Sequence, residues 1–395
     1  MTTGAIVGHG NGSLGNTTSN VSHTRENGEI GNSDDAGKAA RSMRWKRQEM
    51  ARDLLPKERV NKCIWVRVGT YAEIWKLKEK ALEYARAHYR GLMMCGSVWM
   101  CPICAAKITE RRRLELQETI DAAHDQGLIV FLVTLTLQHG KHEKYKIVVA
   151  ALRDAWRKVR GGRGWIEIKQ NYQIVGIVTA LEFTVSIDNG GHPHLHVLMF
   201  SKLGPGAIDA DQLRDDVSSR YEAILKHHAR YASNEHGVKV QLGDSHVGDY
   251  VAKFGREKEN ESTWGLAAEM TKGMMKRGRL EAGEHYTPFQ LLDMASDGDK
   301  QAAAMFQQFA LAFKGKHQIG GLSAVRKMLG LSKSLSDEEI AEAGEEKTFR
   351  FVQLLDKQWA IIRNKGLRGT ALEVASQVGY EGFKVWARSH EIFLE

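Results

Sequence analysis

The chain has 395 residues, a formal net charge of +8 and an isoelectric point near 9.1. This length predicts two or three domains, and the positive charge favours a polyanionic partner over a neutral one. The sequence lacks both a run of about 18 apolar residues, as a transmembrane helix needs, and a signal-peptide pattern. We therefore expect a cytoplasmic protein that does not contact a membrane.

Composition divides the chain into five predicted segments. Residues 1–40 are rich in Gly, Asn, Ser and Thr and are predicted to form a disordered tail. Residues 41–126 are basic and helical and contain all four cysteines. The remaining segments are an α+β core at 127–256, a helical extension at 257–335 and a C-terminal helical region at 336–395.

The four cysteines predict a structural zinc site. They are Cys63, Cys95, Cys101 and Cys104, and Pro102 follows the first cysteine of the CxxC pair. That pair is typical of a zinc knuckle, and two further thiolates complete a tetrahedral Zn²⁺ site. His88 or His124 could replace the distant Cys63. A redox CxxC and a set of buried free thiols are the alternatives.

The core segment predicts elements in the order β-α-β-β-α-β. The predicted strands and helices span 128–137, 145–160, 173–187, 194–201, 209–231 and 238–242. This order is typical of a ferredoxin-like or RRM-like antiparallel sheet, in which the first and third strands are central. The third strand carries His194 and His196, so these histidines are predicted to lie on a central strand.

The histidine strand predicts a catalytic metal site. His194 and His196 share one face of the strand, separated by a rise of roughly 6.5 Å. In the preceding strand, alternation places Glu182 on the face opposite Phe183. Pairing Ser186 with His192 would set Glu182 opposite His196. A carboxylate and two imidazoles suit Mg²⁺ or Mn²⁺, whereas the alternative is a pair of histidines on a solvated face.

A helix predicted over 245–254 supplies a candidate nucleophile. Tyr250 and Lys253 are three residues apart and therefore lie on one helix face. A tyrosine can attack phosphorus once a metal ion polarises the scissile phosphate. The alternative is that both side chains have ordinary roles, the tyrosine in packing and the lysine as a solvated charge.

Clusters of basic residues predict contacts with DNA. Arg111, Arg112 and Arg113 form one such cluster on a predicted helix. Residues 161–165 read as a flexible loop in which Arg163 could meet a phosphate and Trp165 could stack on an unpaired base. Solvated charged faces are the alternative for each cluster.

Three ordered motifs resemble those of rolling-circle plasmid replication initiators, which belong to the HUH endonuclease superfamily. The motifs are Phe131-Leu-Val-Thr-Leu-Thr136, Gly191-His-Pro-His194-Leu-His196-Val-Leu198 and Tyr250-Val-Ala-Lys253. The cysteine segment 95–107 and residues 287–292 resemble the bacterial plasmid branch. The resemblance covers residues from about 60 to 330 and identifies 127–256 as the HUH endonuclease core.

The resemblance implies roles for particular residues. Glu182, His194 and His196 would hold the metal, Tyr250 would attack DNA, and Lys253 would assist near the metal or the phosphate. The implied substrate is a single-stranded or hairpin plasmid origin. The nick would leave a 5′-phosphotyrosine and a free 3′ hydroxyl for a host DNA polymerase, with a host helicase as a further expected partner.

Some features of the sequence leave alternatives open. Certain relatives place a glutamate four residues before the tyrosine, where this chain has His246; Asp244 and Asp249 are nearby substitutes for the termination step. An HUH transposase or relaxase would nick in the same way, although relaxases often carry the tyrosine before the histidine motif. A non-catalytic, zinc-containing DNA-binding regulator is the third class. The sequence does not predict an oligomeric state.

Overall fold

A computed structural model describes residues 33–77, 87–204, 206–229, 231–233, 236–241, 285–343 and 348–394. These residues form an α+β protein with antiparallel sheets, as the sequence predicts. The first described helix begins at Ser33, inside the segment predicted to be disordered. None of the helices in these ranges is long and apolar enough to cross a membrane.

The chain divides into two compact units, and neither follows the predicted consecutive segments. The terminal unit comprises Met1–Arg41, Ile64–Met93 and Ala343–Glu395, and the core unit comprises Ser42–Cys63 and Met94–Glu342. The terminal unit is assembled from distant parts of the chain because its strands pair across that distance, and composition gives no signal of such pairing. The four-cysteine segment is therefore divided: its cysteines belong to the core unit and residues 64–93 to the terminal unit.

Besides the start of the helix Ser33–Leu54, the described part of the terminal unit contains a small antiparallel sheet and three helices. Its strands are β1 (Ala72–Leu77), β2 (Ala87–Arg90) and β9 (Thr348–Leu354), in the order β2-β1-β9. The helices are α10 (Asp356–Asn364), α11 (Arg368–Gln377) and α12 (Tyr380–Ser389). Trp359 is buried here, and its indole nitrogen donates a hydrogen bond to the carbonyl of Trp65 at 3.0 Å.

The core unit contains the larger sheet. Its strands are β3 (Ile129–Leu135), β4 (Ile174–Ser186), β5 (Gly190–Ser201), β6 (Val238–Gln241), β7 (His285–Tyr286) and β8 (Ile319–Gly320). The sheet order is β6-β3-β5-β4-β7, and β8 also pairs with β4. The first and third predicted core strands, β3 and β5, lie side by side between β6 and β4.

Helices cover both faces of this sheet. Helix α1 (Ser33–Leu54) starts in the terminal unit and ends in the core unit. The other helices among the described residues of the core unit are α2 (Pro102–Asp125), α3 (Tyr145–Val159), α4 (Gly162–Asn171), α5 (Ala210–Ile224), α6 (Pro288–Ser296), α7 (Lys300–Phe313), α8 (Leu322–Met328) and α9 (Asp337–Glu342). A short π-helical turn, Leu225–Ala229, continues α5. One face of the sheet carries Phe183, whose ring lies 5.0 Å from that of Tyr145 on α3 and 5.3 Å from that of Phe309 on α7.

The other face changes character along the strands. At one end, Leu132, Ala180 and Leu198 form an apolar core with residues of α2 and α8, among them Leu116, Ile120, Leu322 and Val325. The histidines and Glu182 lie at the opposite end of the same face. Each is separated from the apolar residue on its own strand by an even number of residues, which places both side chains on one face. Among the described residues, the polar part of this face is therefore confined to the end that holds the histidines and Glu182.

Candidate functional sites

The predicted hairpin between β4 and β5 forms, but its register differs from the predicted one. Ser186 pairs with Gly190 rather than with His192, and Glu182 pairs with His194 rather than with His196. Gly190 has φ +79, and a Cβ there would lie 2.4 Å from the carbonyl oxygen of Lys141. This glycine lets the chain re-enter the sheet after a loop of three residues, 187–189, whereas the predicted pairing of Ser186 with His192 would leave a loop of five. The shift is by two residues, so Glu182 and the histidines stay on one face.

The side chains of Glu182 and His196 are in contact diagonally between the two strands, since the register partner of Glu182 is His194. The Nε2 atom of His196 lies 2.7 Å from Oε2 of Glu182. The other ring nitrogen, Nδ1, lies 3.1 Å from the hydroxyl oxygen of Thr134 on β3. His196 is 6% exposed, so its ring is held by hydrogen bonds on both sides and by burial.

His194 stands beside this pair. Its ring is nearly parallel to that of His196, with an interplanar angle of 6° and centroids 6.3 Å apart. Among the described residues, Glu182, His194 and His196 do not form a group whose ligand atoms all lie within 4.8 Å of one another. The structure thus brings Glu182 and His196 into contact and places His194 next to them, without a closed cage.

A third histidine extends the polar end of the face, and the sequence interpretation gave it no role. His192 lies two residues before His194, and its ring contacts that of His194 edge-on with centroids 4.5 Å apart. Its Nε2 lies 3.1 Å from the Thr136 hydroxyl oxygen and its Nδ1 lies 2.9 Å from Nε2 of His139. Burial, reinforced by the neighbouring histidines, lowers the pKa of His192 to about 3. The period-2 spacing with His194 was the available sequence signal.

The donor set at this end suits a divalent cation. One carboxylate and two imidazoles are ligands that Mg²⁺ or Mn²⁺ accepts. A metal-bound histidine ordinarily donates a hydrogen bond from its second ring nitrogen, and in His196 the hydroxyl of Thr134 lies at that nitrogen. The residues present therefore fit the implied ion in the chemistry of their donor atoms.

The candidate nucleophile lies outside the described residues. Tyr250 and Lys253 belong to residues 242–284, as do His246, Asp244 and Asp249. The three nearest competing tyrosines in sequence can be placed, and Tyr286 lies on β7. Tyr221 is fully buried and donates to the carbonyl of Thr136 at 3.1 Å, and Tyr231 donates to the Glu143 carboxylate. Burial raises the pKa of Tyr221, and burial followed by the Glu143 hydrogen bond raises that of Tyr231 to about 12.

The four cysteines converge on one point. The Sγ atom of Cys104 lies 3.6 Å from those of Cys63 and Cys95, and the Sγ atoms of Cys101 and Cys63 are 3.7 Å apart. A disulfide requires about 2.05 Å, whereas four sulfurs at about 2.3 Å from a tetrahedral Zn²⁺ are about 3.8 Å apart. The cluster is buried and could bind a metal such as zinc.

Local structure explains why the thiols meet. Cys101 is the N-cap of α2, and its sulfur accepts a hydrogen bond from the backbone nitrogen of Cys104 at 3.5 Å. The backbone nitrogen of Cys95 donates to the sulfur of Cys63 at 3.4 Å. Hydrogen bonds from the other three thiols hold the pKa of Cys104 well below its usual range, while burial raises that of Cys101. Cys63 completes the group, as predicted, and neither His88 nor His124 replaces it.

The predicted DNA-binding residues are less accessible than expected. Residues 162–171 form α4 instead of a loop, and Trp165 is 6% exposed with its ring 5.7 Å from that of Trp156. Trp165 lies on the apolar face of this helix and packs in the core, so its indole ring is not exposed for stacking on a DNA base. Arg163 is exposed.

The three arginines on α2 pair with carboxylates. Arg112 contacts Glu115 and Asp337, each at 2.7 Å. Arg111 contacts Glu115 at 3.2 Å, and Arg113 contacts Glu110 at 2.7 Å. Their charges are partly neutralised within the protein, and DNA binding by these residues stays a prediction.

Comparison with known proteins finds a similarity between part of this chain and replication proteins. Residues 89–204 match the family model described as "Replication protein". "Protein rep" of Streptomyces lividans is 23% identical over 303 residues, which cover 61% of this chain and 64% of that protein. The "Neomycin resistance protein" of Streptomyces cyanogenus is 26% identical over 133 residues, 28% of this chain and 30% of that protein.

These similarities confirm the predicted resemblance to plasmid Rep proteins. The chain spans less than two thirds of the length of either relative, and no solved structure matches it significantly. The family match contains β3, β4 and β5 with Glu182, His194 and His196, and also three of the four cysteines. Cys63, Tyr250 and Lys253 lie outside the matched range.

Proposed function

We propose that this chain, a relative of the plasmid Rep proteins, is a replication initiator that nicks and rejoins single-stranded DNA at a plasmid origin. The observation that carries the proposal is the polar end of the sheet. There Glu182 and His196 are in contact at 2.7 Å, with His194 beside them, inside the region that matches replication proteins. A purely structural sheet gains nothing from burying an imidazole and a carboxylate at its end.

The fold supports this assignment. The strand order β6-β3-β5-β4 has the first and third core strands side by side in the middle, as a ferredoxin-like sheet requires. We therefore propose that the core is a ferredoxin-like HUH endonuclease domain. A central strand holds its side chains more rigidly than a loop, which suits a site that must orient phosphate.

In the proposed reaction, the Tyr250 oxygen attacks the scissile phosphorus. A phosphotyrosine bond forms to the 5′ phosphate as the bond from phosphorus to the 3′ oxygen breaks. The tyrosine loses its proton to solvent, and the departing 3′ oxygen takes one up. Glu182, His194 and His196 would hold Mg²⁺ or Mn²⁺, which draws electron density from a phosphate oxygen. Lys253 would neutralise charge on the same phosphate.

The free 3′ hydroxyl would prime a host DNA polymerase, with a host helicase opening the duplex. Joining is the reverse reaction, in which that 3′ oxygen attacks the phosphotyrosine. We also propose that the four cysteines hold a structural Zn²⁺, which would fix the start of α2. Since α2 packs on the sheet through Leu116 and Ile120, the zinc would support the nuclease core without taking part in chemistry.

Cleavage assays on the intact protein test the proposal. The full chain is incubated with Mn²⁺ and end-labelled single-stranded oligonucleotides that together cover the replicon carrying its gene. We expect one or a few oligonucleotides to give a protein–DNA adduct that survives denaturant, and none to do so without the metal. A folded preparation that binds the origin but yields no adduct with any oligonucleotide would contradict the proposal.

A further inference from the structure

Thr134 makes a contact whose chemistry is unusual for a histidine that binds metal. Thr134 and His196 are directly opposite in the β3–β5 register, and Oγ1 lies 3.1 Å from Nδ1. The other ring nitrogen lies 2.7 Å from Glu182. His196 is 6% exposed, so water has little access to either nitrogen. Both nitrogens therefore depend on protein partners.

A neutral imidazole carries its proton on one nitrogen only. In the absence of a cation, a proton on Nε2 can be donated to Glu182, and Nδ1 then needs a hydrogen-bond donor. When Nε2 binds a cation, the proton must be on Nδ1, which then needs an acceptor. A carboxylate or a carbonyl can only accept, whereas a hydroxyl does both. A buried ring nitrogen left without a partner would lose the hydrogen bond that it makes to water in the unfolded chain.

We infer that Thr134 is a positioning residue that serves as a reversible hydrogen-bond partner of His196. It donates to Nδ1 while His196 contacts Glu182, and it accepts from Nδ1 once Nε2 holds a divalent cation. The inference rests on the proposed metal site and gives a role to a threonine of the first motif. The branched side chain on a central strand suits the role, since its χ1 angle is restricted.

Thr136 offers a matched comparison just after the end of the same strand. Its hydroxyl oxygen lies 3.1 Å from Nε2 of His192, and the other nitrogen of that ring lies 2.9 Å from His139. His192 is thus bound by protein groups at both nitrogens and is not a proposed ligand. Thr136→Val removes the same atoms as Thr134→Val, two residues further along the same face, without touching His196.

Mn²⁺ titration of the full chain, followed by electron paramagnetic resonance, tests the inference. Thr134→Val should weaken Mn²⁺ binding by about 10–100-fold, the usual effect of losing a partner of a metal-bound histidine. Thr134→Ser keeps the hydroxyl and should bind within about threefold of wild type, as should Thr136→Val. Equal affinities for Thr134→Val and wild type would overturn the inference, and so would an equal loss in Thr136→Val.

A second measurement needs no variant. Nitrogen-15 spectra of the wild-type imidazoles should show the His196 proton on Nε2 in metal-free protein and on Nδ1 after Mg²⁺ is added. A proton that stays on Nε2, or a wild-type protein that binds neither ion, would overturn the inference. If binding depends on Thr134 but no DNA adduct ever forms, the nicking function fails and the inference stands. If adducts form and Thr134→Val binds Mn²⁺ normally, the inference fails alone.

Discussion

Two regions of the core unit were predicted to bind metal, and the structure organises them differently. The four cysteines form a closed, buried group with neighbouring sulfurs 3.6–3.7 Å apart. Glu182 and His196 form a hydrogen bond, and His194 lies beside them. Among the described residues, the ligand atoms of these three do not all lie within 4.8 Å of one another. The comparison illustrates a general distinction: structural metal sites are completed by the protein, whereas catalytic sites keep positions open for water or substrate.

The cause of the difference lies in how each region is built. Three cysteines lie within residues 95–104, where one loop and the first turn of α2 fix their spacing. Gln48 anchors the fourth by donating to the carbonyl of Cys63 at 2.9 Å. The histidine site instead takes its residues from two extended strands, whose backbone spacing is set by the sheet. In the structure, its carboxylate and one imidazole form a hydrogen bond with each other.

The largest expected effect is at the cysteine cluster. Cys104→Ser should lose a tightly bound zinc, about one per chain, and destabilise the fold around α2, because structural Zn²⁺ contributes about 10–16 kcal/mol in small zinc domains. Elemental analysis and thermal unfolding measure both effects. Met100→Leu, in the same buried loop, is the control and should keep its zinc. A zinc-free wild-type protein with unchanged stability would reject the site.

The next effect is on cleavage. His194→Ala should reduce metal-dependent cleavage of single-stranded DNA more than about 100-fold, beyond the usual loss for a second-shell partner, while the unfolding temperature changes little because His194 is only half-buried. Lys202→Ala, at an exposed position just after the same strand, serves as the control. Wild-type cleavage by folded His194→Ala protein would remove His194 from the site.

Metal exchange should separate the two regions without any mutation. Dialysis of the wild-type protein against metal-free buffer should abolish cleavage, and added Mg²⁺ or Mn²⁺ should restore it, because an open site with few protein ligands exchanges its ion readily. The zinc content should stay constant throughout, since a buried thiolate site is closed. If cleavage and zinc disappear together, the two regions do not differ as proposed.

The smallest effect concerns the hairpin that aligns the histidine site. Gly190→Ala should destabilise the protein by about 2 kcal/mol, since a left-handed residue with a Cβ is strained and the Cβ would meet the Lys141 carbonyl at 2.4 Å. Urea unfolding gives the free energy. Gly127→Ala shares the positive φ but has no atom within 4 Å of its Cβ, so it should cost less. Equal losses would mean that the close approach at Gly190 is unimportant.

Much of the core could be predicted because its signals are local. The alternation around Phe183 and the period-2 spacing of His194 and His196 indicated strands, and β4 and β5 lie where they were expected. The cysteine spacing indicated a shared site. In each case the residues that carry the signal are the residues that form the feature, so no long-range information was needed.

Other features depend on contacts that local patterns do not reveal. The hairpin register could not be predicted, because pairing Ser186 with Gly190 or with His192 leaves Glu182 and the histidines on the same face of the sheet. Trp165 was placed in a loop because glycines surround it, but packing against Trp156 stabilises a helix there. The pairing of Arg112 with Asp337 could not be predicted, because Asp337 lies far along the chain.

Mapping the DNA attachment site tests the central claim most directly. The full chain is reacted with labelled origin DNA and Mn²⁺, digested with protease, and the DNA-linked peptide is identified by mass spectrometry. We predict attachment through Tyr250, and Tyr250→Phe should bind origin DNA normally but form no adduct. Tyr221 is buried and the hydroxyl of Tyr231 donates a hydrogen bond to Glu143, so neither should react with DNA. DNA attached to Tyr221, Tyr231 or Tyr286, or an adduct that persists in Tyr250→Phe, would contradict the account.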